Sequence, residues 1–335
     1  MPSVSVIIPC YNEQATIGLL LDALYRQSYP VAEMEVVIAD GMSSDATRAQ
    51  IAAFQERHPD LQVQVVDNPD RHIPAGLNIA LQAARGDYIM RLDAHSVPVV
   101  DYIERCVTAL QAGKGRNVGG IIHIRPGADT WISQAIAVAA AHPLGVGDAR
   151  YRVGGQAQAV DTVAFGAYDR GLVAEIGPYD ESLLTNEDYE FNTRIRQAGG
   201  TVWFDPQIRM TYFARASLAA LARQYWRYGF WKLRMLLRYP ETIRWRQALP
   251  PLFVLIFILL GLLSLAWPWL GLLWLAQVLG YSLVLLLAGL KAVQKYGRFS
   301  LLVGLPLAIT TMHFAWGSAF LWSALSSLVS AARRE

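Results

Sequence analysis

Cysteine is nearly absent from this chain: Cys10 and Cys106 are the only two in 335 residues. They have no metal-ligand spacing and imply no disulfide framework, which fits a reducing cytoplasm. An excess of one charge sign is missing too. Lys and Arg number 29 against 27 Asp and Glu, a net charge of +2. With no basic tail and no nucleic-acid motif, no nucleic-acid partner is expected. The segment from Met1 to Pro9 lacks a basic n-region and is too short for a secretory signal, so none is expected. The most telling absence is charge of either sign from two long stretches. Residues 247–290 contain none, and residues 299–332 contain none apart from the titratable His313.

A membrane span needs about 20 apolar residues. The first uncharged stretch is long enough for two spans, with Trp267-Pro268-Trp269 as the turn, and the second fits one long span. A transmembrane region of about three helices is therefore expected over 247–330. Trp267, Trp269, Trp274, Trp316 and Trp322 suit interfacial or packing positions in a bilayer. Arg244 and Arg246 precede the first stretch, and Lys291, Lys295 and Arg298 separate the two. The positive-inside rule then puts the N-terminal domain in the cytoplasm and the chain in the inner membrane as a multi-pass protein. Three spans would leave Arg333, Arg334 and Glu335 on the far side, against that charge bias. Residues 216–246 interleave Arg223, Arg227, Lys232, Arg234 and Arg238 with Tyr225, Trp226, Tyr228, Phe230, Trp231 and Leu233, as an interfacial helix on anionic lipid does.

The overall hydrophobic fraction of 53% is therefore concentrated in the C-terminal part. Residues 1–215 alternate strand and helix signals, which marks an α/β domain. Strands are expected over 4–9, 34–40, 61–66 and from 88 to Asp93, with helices over 16–27, 46–57 and 73–84 between them. Three strands end in acids or polar turns: Pro9 to Glu13, Asp40, and Asp93. Ligands of open parallel sheets bind beyond the carboxyl ends of the strands, so these residues are expected to converge. Asp93-Ala94-His95 follows an apolar strand, and an acid and an imidazole two residues apart there point the same way. Carboxylate oxygen suits a hard divalent cation, and imidazole favours Mn2+ at least as well as Mg2+.

In order and spacing these segments resemble glycosyltransferase family 2, inverting enzymes with the GT-A fold. The matching residues are Val6-Ile7-Ile8-Pro9-Cys10-Tyr11-Asn12-Glu13, Asp40-Gly41-Met42-Ser43-Ser44-Asp45, Asp93-Ala94-His95, Gly166-Ala167-Tyr168, Ile176-Gly177-Pro178-Tyr179-Asp180-Glu181 and Asn186-Glu187-Asp188-Tyr189-Glu190. A narrower likeness, to membrane-attached transferases of the succinoglycan and exopolysaccharide type, rests on Asp161 to Ala167 and Gln224-Tyr225-Trp226-Arg227-Tyr228. The resemblance implies a GT-A catalytic domain over 1–215, with a Rossmann-like mixed sheet. It implies that Pro9, Tyr11, Glu13, Ser43 and Asp93 line the nucleotide-sugar pocket and that Asp40 hydrogen-bonds the base, uracil. Asp93 and His95 stand at the metal motif, for Mn2+ or Mg2+. Asp188 stands at the general base, with Glu187 as the other acid of that pair. Gln224, Arg227 and Tyr228 stand at the acceptor and diphosphate end, with Tyr228 where relatives have Trp.

The implied reaction moves one hexose, glucose, from a UDP-sugar to a polyprenyl-diphosphate-linked oligosaccharide. Transfer to a bare polyprenyl phosphate and processive polysaccharide synthesis stand as alternatives. Too few spans for a secretion channel and the altered Gln-x-x-Arg-Trp motif argue against the second. The chemistry asks for these parts by itself: a sugar hydroxyl needs a carboxylate to take its proton, and a diphosphate leaving group needs positive charge. The implied partners are the sugar nucleotide, the lipid-linked saccharide and membrane lipid. Whether the chain forms a homo-oligomer through its membrane helices is left open by the sequence.

Overall fold

A computed structural model describes residues 1–332; Arg333, Arg334 and Glu335 lie outside the described residues. The chain divides into two compact units. The first comprises residues 1–123 and 148–212, the second residues 124–147 and 213–335. The division expected near residue 215 therefore misses an excursion, since residues 124–147 belong with the C-terminal helices.

The first unit is built on a mixed sheet. Four parallel strands, β1 (Val4–Cys10), β2 (Met34–Asp40), β3 (Gln62–Asp67) and β4 (Tyr88–Arg91), form one half in the order β3-β2-β1-β4. Helices α1 (Ile17–Tyr25), α2 (Thr47–Arg57) and α3 (Ile73–Ala83) make the crossovers. β1 is a run of almost uninterrupted burial, as a strand covered on both faces must be. After the short β5 (Ser96–Pro98) and α4 (Tyr102–Gln111) the chain changes sense. The order continues from β4 through β8 (Ala167–Asp169), β6 (Asn117–Arg125) and β9 (Val202–Phe213) to β5, with β8 antiparallel to both β4 and β6. β7 (Gln158–Ala159) pairs with β9. Glycine permits the close contacts here: a Cβ on Gly120 of β6 would collide with the Ile208 carbonyl of β9.

Ile7, Val37, Leu77 and Ile89 form the core of the parallel half, continuous with Tyr168, Phe191 and Phe204. Helix α9 (Glu187–Gln197) is anchored in that core through Phe191, which stacks on Tyr179 with ring centroids 4.6 Å apart. A buried amide pair holds it from the other side. Asn117 Nδ2 donates to Asn192 Oδ1 at 2.6 Å, and Asn192 Nδ2 donates to Thr162 Oγ1 and to the Val163 carbonyl, both at 2.9 Å. The first turn of α9, which carries Glu187 and Asp188, is thus fixed by its own apolar and amide contacts.

One expectation about the strands is corrected. β4 ends at Arg91, two residues before Asp93. The Ser96 amide and hydroxyl both fold back onto the Asp93 carbonyl, at 3.0 and 2.7 Å, so Asp93 opens a turn. Asp93 and His95 therefore do not continue the alternation of a strand, and their side chains meet different partners.

In the second unit, α5 (Trp131–Ala139) and α6 (Pro143–Val146) accompany α10 (Leu218–Arg238), α11 (Trp245–Leu263), α12 (Pro268–Tyr296) and α13 (Leu301–Ala332). Helix α13 is the common partner: α5, α10, α11 and α12 all pack on it. Gly229 of α10 lies against the Trp316 backbone, and Gly317 lies against Pro250 of α11. His313 ties the excursion down, with Nδ1 3.0 Å from the Tyr281 hydroxyl and Nε2 2.7 Å from the Leu144 carbonyl. Among the described residues two helices, Pro268–Tyr296 and Leu301–Val329, are long and apolar enough to cross a membrane, and Gln247–Leu263 is a shorter apolar helix. Leu272, Leu279, Leu283 and Leu328 are more than half exposed, an apolar outer surface that water would disfavour and acyl chains would not.

Candidate active site

The site begins where β1 and β2 end. Their following loops are laced together: the Asn12 amide donates to Ser43 Oγ at 2.8 Å, and the Ser44 amide donates back to Asn12 Oδ1 at 2.9 Å. Asn12 (φ +53°) and Met42 (φ +60°) both adopt left-handed backbone, strain held by these bonds. The lacing sets the half-exposed Tyr11 ring across Gly41, where a Cβ would lie 3.2 Å from the ring. Pro9 lies beneath, against Gly76 at the start of α3.

Asp40 is placed differently from the expectation that it meets a base. Its side chain is fully buried, and its two oxygens accept from the Ser43 hydroxyl at 2.6 Å, the Ser43 amide at 3.0 Å and Arg48 Nε at 2.6 Å. Arg48 folds back from α2 to neutralise it and reaches on to Asp67 at 2.6 Å. Asp40 and Ser43 thus shape the Gly41–Ser43 turn, while Arg48 and Asp67 present exposed polar atoms beside it.

Glu13 and His95 form a second group. The Glu13 carboxylate accepts from Thr16 Oγ1 at 2.6 Å, and its other oxygen lies 2.9 Å from His95 Nδ1. A carboxylate at Nδ1 favours the tautomer with the proton there, which leaves a lone pair on Nε2. His95 Nε2 is buried and has no hydrogen-bond partner among the described residues. The ring rests against Tyr212, centroids 4.7 Å apart. A buried imidazole nitrogen left without a partner and backed by a carboxylate is the arrangement of a metal-ligating histidine, so His95, with Asp93 two residues before it, fits a divalent cation. Among the described residues Asp70, His72 and Glu181 form a group of three potential ligands whose ligand atoms lie within 4.8 Å of one another; Asp93 and His95 are not part of it.

The centre of the site is a residue the sequence reading passed over. Arg91, at the end of β4, is 2% exposed. Its guanidinium donates to Asp188 through Nη1, and through Nη2 to Asp93 and Glu187, both at 2.9 Å. One face lies over the Phe165 ring, 5.1 Å from its centroid. Phe165 (φ +56°) and Asn186 (φ +73°), which precedes α9, are again left-handed. So Asp93, expected at the metal motif, and Glu187 and Asp188, expected at the general base, are brought onto one guanidinium. Burial pushes the Asp188 carboxyl up to about 7; Arg91 opposes the shift, and the like charges of Glu187 and Asp93 add to it. The signal that would have exposed Arg91 was available: a lone cation in the buried strand Tyr88-Ile89-Met90-Arg91 needs carboxylate partners.

Gln224, Arg227 and Tyr228 lie on α10 in the second unit. Gln224 Nε2 donates to the Tyr228 hydroxyl at 3.0 Å, and Arg227 and Trp226 are exposed.

A mixed sheet with parallel strands that end in a Tyr-, Ser- and Arg-lined turn, beside a carboxylate array, is the GT-A arrangement of enzymes that use nucleotide sugars. The chain belongs to glycosyl transferase family 2, whose family model matches residues 5–177. It is 30% identical over 321 residues to the succinoglycan biosynthesis protein ExoA of Rhizobium meliloti, covering 94% of this chain and 93% of that one. It is 28% identical over 270 residues to a dolichyl N-acetyl-alpha-D-glucosaminyl phosphate 3-beta-D-2,3-diacetamido-2,3-dideoxy-beta-D-glucuronosyltransferase of Methanococcus voltae, covering 78% of this chain and 83% of that one. Among solved structures it resembles the mannosyltransferase PcManGT of Pyrobaculum calidifontis, in complex with GDP-Man and Mn2+, with a TM-score of 0.60 and 23% identity over 96% of this chain and 87% of that one.

Proposed function

We propose that this glycosyltransferase transfers a single hexose, glucose, from a UDP-sugar to a polyprenyl-diphosphate-linked oligosaccharide, with inversion, at the cytoplasmic face of the bacterial inner membrane during exopolysaccharide assembly. The observation that carries the reading is the carboxylate array: Asp188 sits with Glu187 and Asp93 on one buried guanidinium and is held near neutrality. A base must be ionised at working pH and still basic enough to accept a proton, and this environment favours both. Likeness to ExoA supports the polymer class, and the apolar helices support a lipid-linked acceptor.

In this reading Tyr11 stacks on the base, and the Gly41–Ser43 turn, buttressed by Asp40 and Arg48, supports the nucleoside. Asp93 and His95 would hold Mn2+ or Mg2+, which when bound offsets charge on the departing diphosphate. Asp188 takes the proton of the acceptor hydroxyl while that oxygen bonds to the anomeric carbon. The bond from that carbon to the diphosphate breaks on the opposite face, so an α-linked donor gives a β-glycoside. Gln224, Arg227 and Tyr228 act at the acceptor and diphosphate end. Whether two copies associate does not enter this reading.

The test is transfer by the full chain in membranes or detergent, with Mn2+, a panel of UDP- and GDP-sugars and a lipid-linked saccharide extract. Bare polyprenyl phosphate is a parallel acceptor. One sugar added from UDP-glucose, lost in Asp188→Asn and Asp93→Ala, is expected. A polymer, transfer to the bare phosphate alone, or a GDP-sugar as the sole donor would overturn it.

A further inference from the structure

Arg91 has no counterpart among the residues that the reaction asks for, yet it has the most elaborate setting in the first unit. Its amide donates to the Gly166 carbonyl at 3.1 Å, across from β8. Its guanidinium lies over Phe165, whose own carbonyl accepts from the buried Tyr102 hydroxyl at 3.0 Å. Its nitrogens divide their work: Nη1 serves Asp188, Nη2 serves both Asp93 and Glu187, and Nε is buried with no hydrogen-bond partner among the described residues. Asp93 follows β4, whereas Glu187 and Asp188 open α9, almost a hundred residues on. Like charges on the two acidic groups push them apart, and the guanidinium hydrogen-bonds to both, so it is the attractive link between them.

One cation facing three carboxylates leaves a surplus of negative charge. Without the cation, the acids would repel one another and turn toward solvent. A planar fork can satisfy carboxylates on two sides at once, which a lysine ammonium at the end of a flexible stem cannot do with the same geometry. We propose that Arg91 is a positioning residue that sets the Asp188 carboxylate for proton abstraction and ties it to the donor-side Asp93, so that the base and donor ends of the site behave as one unit. This rests on the reading of Asp188 as the base and Asp93 as a donor-side residue.

The experiment is a double-variant cycle in the full-length protein, with UDP-glucose and the lipid-linked extract as substrates and with UDP binding in the presence of Mn2+ measured in parallel. Arg91→Lys keeps the charge and loses the fork. We expect UDP affinity within about threefold of wild type and kcat lower by about 100-fold, with KM for UDP-glucose little changed. Asp188→Asn alone should cost at least that much. The double variant should be within about threefold of Asp188→Asn, because a base that is absent cannot be mispositioned. A slow Asp188→Asn combined with multiplied losses in the double variant would overturn the role of Arg91 and leave the base assignment standing. Wild-type turnover in Asp188→Asn would overturn the base assignment and this proposal with it. Should Arg91→Lys fail to fold, Phe165→Leu removes the ring under the guanidinium while leaving every charge, and the same cycle applies. Non-additive losses support the link, and multiplied or absent losses refute it.

Discussion

Acid should silence this enzyme near neutrality, through Asp188. Burial lifts its carboxyl from an ordinary 3.8 to about 7, against the pull of Arg91 and with the push of Glu187 and Asp93. A shift of three units corresponds to about 4 kcal/mol in favour of the protonated form. The sign follows from the proposed role: as a general base, Asp188 must be ionised. The ratio kcat/KM should therefore be level above neutrality and fall roughly tenfold for each unit of pH below about 7. Replacing Glu187 by Gln removes a negative charge adjacent in sequence, which should make ionisation of Asp188 easier and move the acid limb lower by on the order of one unit. The assay is initial rate at subsaturating donor from about pH 5 to about pH 9 at constant ionic strength. A flat wild-type profile, or a Glu187→Gln limb that stays put or moves upward, would refute the reasoning.

Other consequences can be measured directly. Chelation should stop transfer and added Mn2+ restore it, and His95→Ala should raise the Mn2+ concentration for half-maximal rate by about tenfold, since one nitrogen ligand is lost. Arg48→Leu removes the cation from buried Asp40 and should cost about 1–2 kcal/mol in thermal or denaturant unfolding, a figure discounted for the half-exposed arginine, with weaker UDP binding as the turn loosens. Gly229→Val sets a branched side chain against the Trp316 backbone, and should make α10 susceptible to limited proteolysis in detergent. His313→Ala deletes the partner of both the Tyr281 hydroxyl and the Leu144 carbonyl; at about 1 kcal/mol for each bond, the melting midpoint in detergent should fall measurably.

Local pattern already carried much of this protein. The apolar run of β1, the alternation of strand and helix to Asp93 and the two uncharged stretches are properties of neighbouring residues, so they can be read without a fold. The strand ends with Tyr11, Asp40 and Asp93 were legible for the same reason, because topology places such ends together in any parallel sheet. Asp93, Glu187 and Asp188 stood out as candidates by residue type and order. Their union on one cation was not legible, since β4 and α9 are joined only by tertiary packing. Asp40 shows the same limit in reverse. Its position at the end of β2 marked it for a ligand, and Arg48, eight residues later on α2, takes up that carboxylate. The affiliation of residues 124–147 was equally hidden. Their sequence carries no long apolar run, and packing such as that of α5 on α13, with the His313 bond to Leu144, assigns them to the second unit. Sequence by itself determined the class of fold, the membrane-like helices and the set of acids. Tertiary structure alone decided which partner each acid meets, because burial and counter-charge depend on how the elements pack: Arg48 reaches Asp40 from eight residues away, and Arg91 joins Asp93 beside it to Glu187 and Asp188 almost a hundred residues on.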